Sequence, residues 1–443
     1  MPSFPSFRSG AEPIGLASAV GAGQHPGVTA TSSVQDPAQP RLLAVLAIGQ
    51  VLGGTAVATS IAVSPLVAAR LTGSPTVGGL ASTAIVLGAA GAAALVARIA
   101  QRHGRRPALT WGYLIALVGA IGAVIGTAAG AAPVLLVSLV LMGSGTAVGL
   151  AARYAATDLA APDRAGRALA LVVWATTVGA VAGPNLLGPL QDVAAGLGLE
   201  PAAGPYLLCV AAFGCALLVS WIGLRPDPLA RARELAGTPA PGAGPGRAGA
   251  PVWTVLRGSR PALVGAAGIV LGHAVMVGLM SMTPVHMDHG GAALTVVGFV
   301  ISMHIAGMYA LSPVFGWLAD RLGATVVLAG ATVTLVAAAV LCASAAPTAT
   351  GMLTAGLVLL GLGWSAALVG GSALLTSALP VTDRPRVQGS VDVAMNLAGA
   401  AAGVAAGVLV TVGSYAVLGI VAAVLTVPYL LVVLRATRRP VAG

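Results

Sequence analysis

The chain has no lysine and very little charge of any kind. Only 8% of its 443 residues are charged, against roughly 25% in a soluble globular domain. So few charges cannot cover a water-facing surface, which excludes a soluble fold and leaves lipid as the main neighbour. Cysteine is nearly absent too. Cys209, Cys215 and Cys342 sit inside apolar runs with no CxxC spacing, which excludes a disulfide framework and a cysteine metal site. There is no G-x-x-x-x-G-K-[ST] loop to cradle phosphates, so ATP drive is not indicated. No nucleophile–base arrangement stands out, which predicts a protein that is not an enzyme. No apolar h-region lies near the N-terminus, which argues against a cleaved signal peptide. The in/out alternation of barrel strands is missing as well.

What is present is apolar sequence in long runs. Hydrophobic residues make up 57% of the chain and glycine contributes 61 positions. One membrane helix needs about 20 apolar residues, and small residues let such helices approach closely. Twelve runs of spanning length fall near 42–69, 77–99, 108–129, 132–156, 168–190, 205–224, 261–285, 294–318, 324–345, 351–378, 388–412 and 414–434. This predicts an all-α polytopic membrane protein with twelve transmembrane helices in two six-helix bundles, at 41–224 and 261–436. Residues 1–40, rich in Pro, Ser, Gly and Ala, read as a disordered tail, and 437–443 as a second tail. The polar stretch 225–260 reads as a flexible linker between the bundles.

The formal charge of +10 comes entirely from arginine, and its placement argues against nucleic acid as a partner. With the N-terminus in the cytoplasm, Arg102, Arg105, Arg106, Arg164, Arg167, Arg225, Arg257, Arg260, Arg321, Arg384, Arg386, Arg438 and Arg439 all face inward, and only Arg70 lands outside. The positive-inside rule therefore predicts a cell-membrane protein with both termini cytoplasmic. A monomer in the bilayer is expected.

Two loops repeat. After the eighth run the chain reads Gly316-Trp317-Leu318-Ala319-Asp320-Arg321-Leu322-Gly323; after the second it reads Ala97 through Gln101-Arg102-His103-Gly104-Arg105-Arg106. Both approximate G-x-x-x-D-R-x-G-R-R, and this resembles motif A of the major facilitator superfamily. An acidic residue at one helix end beside a facing helix N-terminus latches the two together. Gln101 replaces the acid in the first copy, so only Asp320 and Arg321 keep the central pair, with Gly316 and Gly323 around them. The segment Gly179–Asn185 resembles the Gly-Pro motif of the fifth helix of many facilitators, where small residues allow tight packing and a kink. The resemblance implies two pseudo-symmetric bundles with a substrate path between them near the midplane.

Residues 273–308 hold six of the 10 methionines and four of the 6 histidines. Met276 and Met280 stand i, i+4 in the seventh run, as do His304 and Met308 in the eighth, so each pair shares a helix face. His273 falls on the face of Met276. At about 1.5 Å rise per residue, Met276 and His304 lie at similar depth, about 15 Å below the outer surface. Convergence of the two faces would stack thioethers and imidazoles, soft ligands suited to Cu(I). His286, Met287 and His289 fall in the outer loop as an entry site.

These pairs resemble the CcoA-type copper importers, a bacterial branch of the facilitator superfamily. That resemblance implies Met276, Met280, His304 and Met308 as ligands of transported copper, with no permanently bound cofactor. Arg153–Asp158 and Gln388–Asp392 are similar to the same branch and to its riboflavin-transporting relatives, and do not specify copper. Asp392 reads as either a coupling residue or a helix–helix hydrogen bond. Arg153 and Asp158, near each other at the inner end of the fourth run, predict a charge pair, with coupling as the other role. Copper uptake is the leading expectation. A proton-coupled exporter of a drug or metabolite and a transporter-like copper sensor are the rivals.

Overall fold

The computed structural model describes residues 36–237 and 251–437. The expected N-terminal tail as far as residue 35, the Pro/Gly-rich stretch 238–250 and the arginines at 438 and 439 lie outside the described residues. In chain order the α-helices are α1 (Gln39–Thr72), α2 (Pro75–His103), α3 (Arg105–Ala128), α4 (Ala132–Ala155), α5 (Ala165–Asn185), α6 (Leu187–Gly196), α7 (Gly204–Gly223), α8 (Pro228–Leu235), α9 (Val252–Gly258), α10 (Arg260–His289), α11 (Leu294–Tyr309), α12 (Ser312–Leu322), α13 (Ala324–Ser344), α14 (Thr350–Ser377), α15 (Arg384–Val412) and α16 (Tyr415–Thr437). Twelve helical segments among the described residues are long and apolar enough to cross a membrane. Their number and order match the apolar runs.

Local chemistry sets the ends. Proline stands in the first turn of α1, α2, α4, α7, α10, α12 and α15, where its missing N–H has no helical partner to lose. The sharp turns α2–α3 and α12–α13 each pivot on one glycine, Gly104 at φ +98° and Gly323 at φ +93°, a region closed to most side chains. These are the matching glycines of the two motif copies, so the sequence repeat is also a backbone repeat.

Two departures from the expected runs have visible causes. The eighth span is broken, with α11 ending at Tyr309 and α12 starting at Ser312. Pro313 cannot donate to the Tyr309 carbonyl and crowds it; the Ser312 hydroxyl donates to that carbonyl instead, at 2.8 Å. The described ends of the expected flexible linker are helical. Asp227 caps α8 by accepting from the Leu229 and Ala230 amides at 3.0 Å. Leu229 and Arg233 are buried, and Arg233 donates to the Gln101 carbonyl, so α8 is packed against the first bundle.

The buried side chains form one cluster within residues 42–232. Two more lie mainly or wholly in the second half, the larger reaching across to Tyr154, Leu169, Ala170 and Val173. Packing repeats as the sequence does. α1 packs on α5 as α10 packs on α15, and α2 packs on α4 as α11 packs on α14. Between the halves, α2 meets α15 and α12 meets α5. Large apolar residues on the outside, such as Leu66, Val137, Val404 and Leu431, are exposed and face lipid.

Small residues make these crossings possible. A methyl group on Gly88 would run into the Val140 carbonyl oxygen of α4, whereas one on Gly91 would meet nothing within 4 Å. Gly88→Ala is therefore expected to destabilise the fold by about 1–3 kcal/mol through overpacking against backbone. Gly91→Ala should match or exceed the parent. Thermal unfolding of the two purified variants in detergent checks the contrast.

Candidate transport site and the seal beside it

A cavity of ≈100 Å³ lies between the halves, walled by α1, α3, α4 and α5 on one side and by α11 and α14 on the other. It is smaller than the about 300–1,000 Å³ of pockets that hold drug-sized ligands, so a solute of that size fits only when the helices part. No charged side chain lines it. Its wall carries three aromatic rings, Tyr113, Tyr309 and Trp364, together with Gln50, Thr146 and Thr176. Tyr309 and Trp364 meet edge-on with centroids 5.7 Å apart, a favoured aromatic geometry. The Tyr113 hydroxyl donates to the Gly49 carbonyl at 2.9 Å. The Gln50 amide donates to the Thr176 hydroxyl at 2.8 Å. Its Oε1 and the Thr146 hydroxyl are buried without a hydrogen-bond partner. Such atoms are costly to leave unsatisfied, and a solute that donates to them would remove that penalty.

The Met/His residues lie beside this cavity rather than in its wall. His273 is tied to the wall through Trp364, whose indole N–H donates to His273 Nδ1 at 3.0 Å. That bond occupies the Nδ1 lone pair, leaving it no free electron pair for a metal. His304 is fully buried and its Nδ1–H donates to the Leu357 carbonyl of α14 at 2.7 Å; Nε2 has no partner. Met276 and Met308 are buried and Met280 is partly so. The expected ladder required the faces of α10 and α11 to converge. Instead α11 packs mainly on α14 and α10 packs on α15 and α14, with little contact between the two, and His304 is turned toward α14. Among the described residues, no three His, Cys, Asp or Glu side chains gather as a metal site.

The outer trio is also placed differently from expectation. Helix α10 continues to His289, so His286, Met287 and His289 occupy its last turns rather than a loop. Met287 is fully buried. His286 hydrogen-bonds the Ala345 carbonyl at 3.0 Å and stacks on Tyr415 at 4.3 Å, while His289 is exposed. The three do not share one surface.

At the arginine-rich end the two halves are sealed together. Arg153 of α4, 1% exposed, pairs with Asp392 of α15 at 2.5 Å. It also donates to Ser372 of α14 at 3.1 Å, to the Leu150 carbonyl at 2.7 Å and to the Tyr154 hydroxyl at 3.1 Å. Asp158 pairs with Arg105 at 2.8 Å, and Arg105 continues to Gln388 of α15 at 2.9 Å. The expected Arg153–Asp158 pair is thus a correction. Each residue takes another partner, and Arg153 finds its own in the opposite half. Asp392 spends its side chain on Arg153, and its carbonyl accepts from Asn396. In the motif copy after the eighth span, Asp320 of α12 accepts from the Gly166 and Arg167 amides at the start of α5, at 2.7 and 3.0 Å, and from the Arg167 side chain at 3.0 Å. Arg321 does not share in this latch; its guanidinium lies 4.8 Å over Trp317. Gly316 is held by close packing on Gly166 and Ala170. In the first copy Gln101 donates to the Thr382 carbonyl at 2.8 Å, a neutral latch at the pseudo-symmetric place. Near it, Gly104 abuts Asp227, which accepts from the Arg106 amide at 2.7 Å.

A twelve-span chain with repeated motif loops, symmetric helix pairing and a cavity between its halves is the architecture of one group of carriers. The family model described as Major Facilitator Superfamily matches residues 46–296 and 287–443. The chain belongs to that superfamily. An uncharacterised facilitator-type transporter of Bacillus subtilis (strain 168), YdeG, is 39% identical over 386 residues, 87% of this chain and 89% of that protein. The riboflavin transporter RfnT of Brucella anthropi is 27% identical over 355 residues, 80% and 85% of the two chains. Among solved structures, the human organic anion transporter MFSD10 superposes with a TM-score of 0.71 at 16% identity, over 90% of this chain and 100% of that one; at that identity the match speaks for the facilitator fold alone.

The motifs and spacings of the sequence do not mark Tyr113, Thr146, Thr176, Tyr309 or Trp364. A usable signal was the scarcity of aromatics, 4% of the chain, which makes three at one cavity notable. The facilitator latch at Asp320 yields a direct test. Asp320→Ala removes three donors' acceptor at the mouth of α5, a loss of about 1–2 kcal/mol. Thiol labelling of a cysteine placed at buried Ala170, with exposed Cys215 replaced by serine, is expected to quicken roughly tenfold in that variant.

Proposed function

We propose that this facilitator is a secondary carrier for a small, uncharged, planar heteroaromatic solute bound in the midplane cavity. The observation that carries the reading is the cavity wall. It offers three aromatic rings and two buried unpartnered oxygens, on Gln50 and Thr146, and no charge. Flat rings suit stacking between aromatics, and a donor-bearing ring edge suits the two oxygens. The 27% identity to a riboflavin transporter supports the same class of solute. The arginine distribution supports a cytoplasmic-membrane location with both termini inside, and a monomer is part of the same proposal.

A second reading is copper uptake in the manner of the CcoA-type importers, along Met276, Met280, His304 and Met308 with His273 beside them. One observation favours it: His304 Nε2 is buried with no partner, as a metal-ready imidazole is. Here copper is cargo rather than a resident cofactor.

Riboflavin and copper uptake into proteoliposomes of the purified chain separates the two. Riboflavin is expected to accumulate, with Trp364→Ala weakening its binding roughly tenfold and His304→Ala leaving it near the parent. No riboflavin uptake, together with radiolabelled copper accumulation lost in Met276→Ala and His304→Ala, would move the assignment to copper.

A further inference from the structure

Three of the 6 tryptophans are followed by an arginine four residues later: Trp221 by Arg225, Trp253 by Arg257 and Trp317 by Arg321. The other three, Trp111, Trp174 and Trp364, have Ile115, Val178 and Leu368 at that spacing. Four residues bring two side chains to one side of a helix, and in the fold each pair closes. The guanidinium lies 5.5 Å from the Trp221 ring centre, 4.6 Å from that of Trp253 and 4.8 Å from that of Trp317, within reach of a cation–π contact. One pair stands at the end of α7 in the first half, one on α12 in the second, and one on α9 ahead of α10. All three belong to the arginine-rich end.

These arginines have no acid to neutralise them. Among the described residues, none of the three forms an ion pair. The acids beside them in sequence are turned elsewhere. Asp227 accepts from the Arg106, Leu229 and Ala230 amides, and Asp320 from the Gly166 and Arg167 amides. Helix α9 contains no acid. The tryptophans are 49%, 54% and 37% exposed, and the arginines are exposed as well. Each pair therefore presents a full positive charge, held on a ring, to its surroundings.

The helices say what those surroundings are. Leu218 precedes Trp221 by three residues and Val314 precedes Trp317 by three, so each shares its tryptophan's face. Both are exposed on segments of spanning length. These tryptophans thus end lipid-facing stripes, at the level where indole rings gather in bilayers. The arginine comes four residues later, about 6 Å further at helical rise, which is headgroup depth. On α9, Leu256 is buried while Trp253 and Arg257 are exposed, so that pair also faces away from the protein. The complement of a guanidinium at headgroup depth is a phosphodiester. Arginine can offer it a planar fork of donors while stacked on an aromatic ring, which an ammonium cannot, and this chain has no lysine. We propose that the three Trp–Arg pairs bind the phosphodiester of anionic phospholipids in the leaflet at the arginine-rich end, one lipid to each pair. The sites are independent of which solute is carried.

Native mass spectrometry of the purified full-length protein, offered phosphatidylglycerol and phosphatidylcholine in equal amounts, counts the lipids retained. The parent is expected to prefer phosphatidylglycerol and to hold up to one molecule per pair. Combining Arg225→Gln, Arg257→Gln and Arg321→Gln should abolish the preference, each exchange weakening its own site roughly fivefold. Combining Arg225→Lys, Arg257→Lys and Arg321→Lys keeps the charge without the fork and should fall between. Arg102→Gln, Arg260→Gln and Arg435→Gln together remove the same charge from exposed arginines that are not stacked on tryptophan, and should leave the preference near the parent. A parent that retains the two lipids equally overturns the proposal without any variant. Equal loss in the two glutamine triples overturns it too, reducing the effect to diffuse surface charge, and so does a lysine triple that binds like the parent.

Discussion

A charged pair buried between two moving bodies is the constraint around which the rest of this carrier is arranged. Inside a membrane an ion without a partner is strongly disfavoured. Among the described residues, Arg153 and Asp392 each find an oppositely charged partner by reaching into the other half. Ser372 adds a second link from the same guanidinium across the divide. These contacts define one closed end and make its opening an electrostatic event as well as a mechanical one. Whatever opens the carrier must replace the missing half of the ion pair.

The flanking contacts share the load unequally. Asp320 and Gln101 occupy pseudo-symmetric places, but they use different chemistry. Asp320 caps the start of α5 with a full negative charge against two backbone amides and the Arg167 guanidinium, which suits the positive end of a helix. Gln101 donates one neutral hydrogen bond to the Thr382 carbonyl ahead of α15. The weaker latch therefore lies beside the helix that carries Asp392. Gly389 packs its backbone against Ala97 of α2 there, so close contact between small residues accompanies the weaker polar tie.

Much of this architecture was legible in the sequence, for a simple reason. Spanning length and charge scarcity are properties of segments, and a bilayer reads segments. The motif repeat was legible because its glycines meet a backbone need at Gly104 and Gly323. Partners were less legible. Spacing along one helix shows which side chains share a face but not which way that face turns. Met276 with Met280 and His304 with Met308 do share faces, yet His304 turns to Leu357 on α14 while α10 packs on α14 and α15. The Arg153–Asp158 expectation failed in the same manner: five residues of separation suggested a local pair, and the actual partners come from α15 and α3. Two buried arginines and two buried aspartates allow either pairing on charge alone, and only the packing of α3, α4 and α15 selects one.

The position of the cavity relative to the seal then carries the argument from structure to transport. Leu150 lines the cavity, and its carbonyl accepts from Arg153 one turn further along α4. Trp364 lines the same cavity from α14, and Ser372, two turns on, bonds the same guanidinium. Cavity and ion pair are thus joined through two helices, one from each half. A solute that draws α4 and α14 together around its ring would hold Arg153 near Ser372 and Asp392. A solute that spreads them would strain both bonds at once. Coupling between the cavity and the seal therefore needs no long chain of intermediaries, because the groups that line the cavity and the groups that close the end are neighbours on the same two helices.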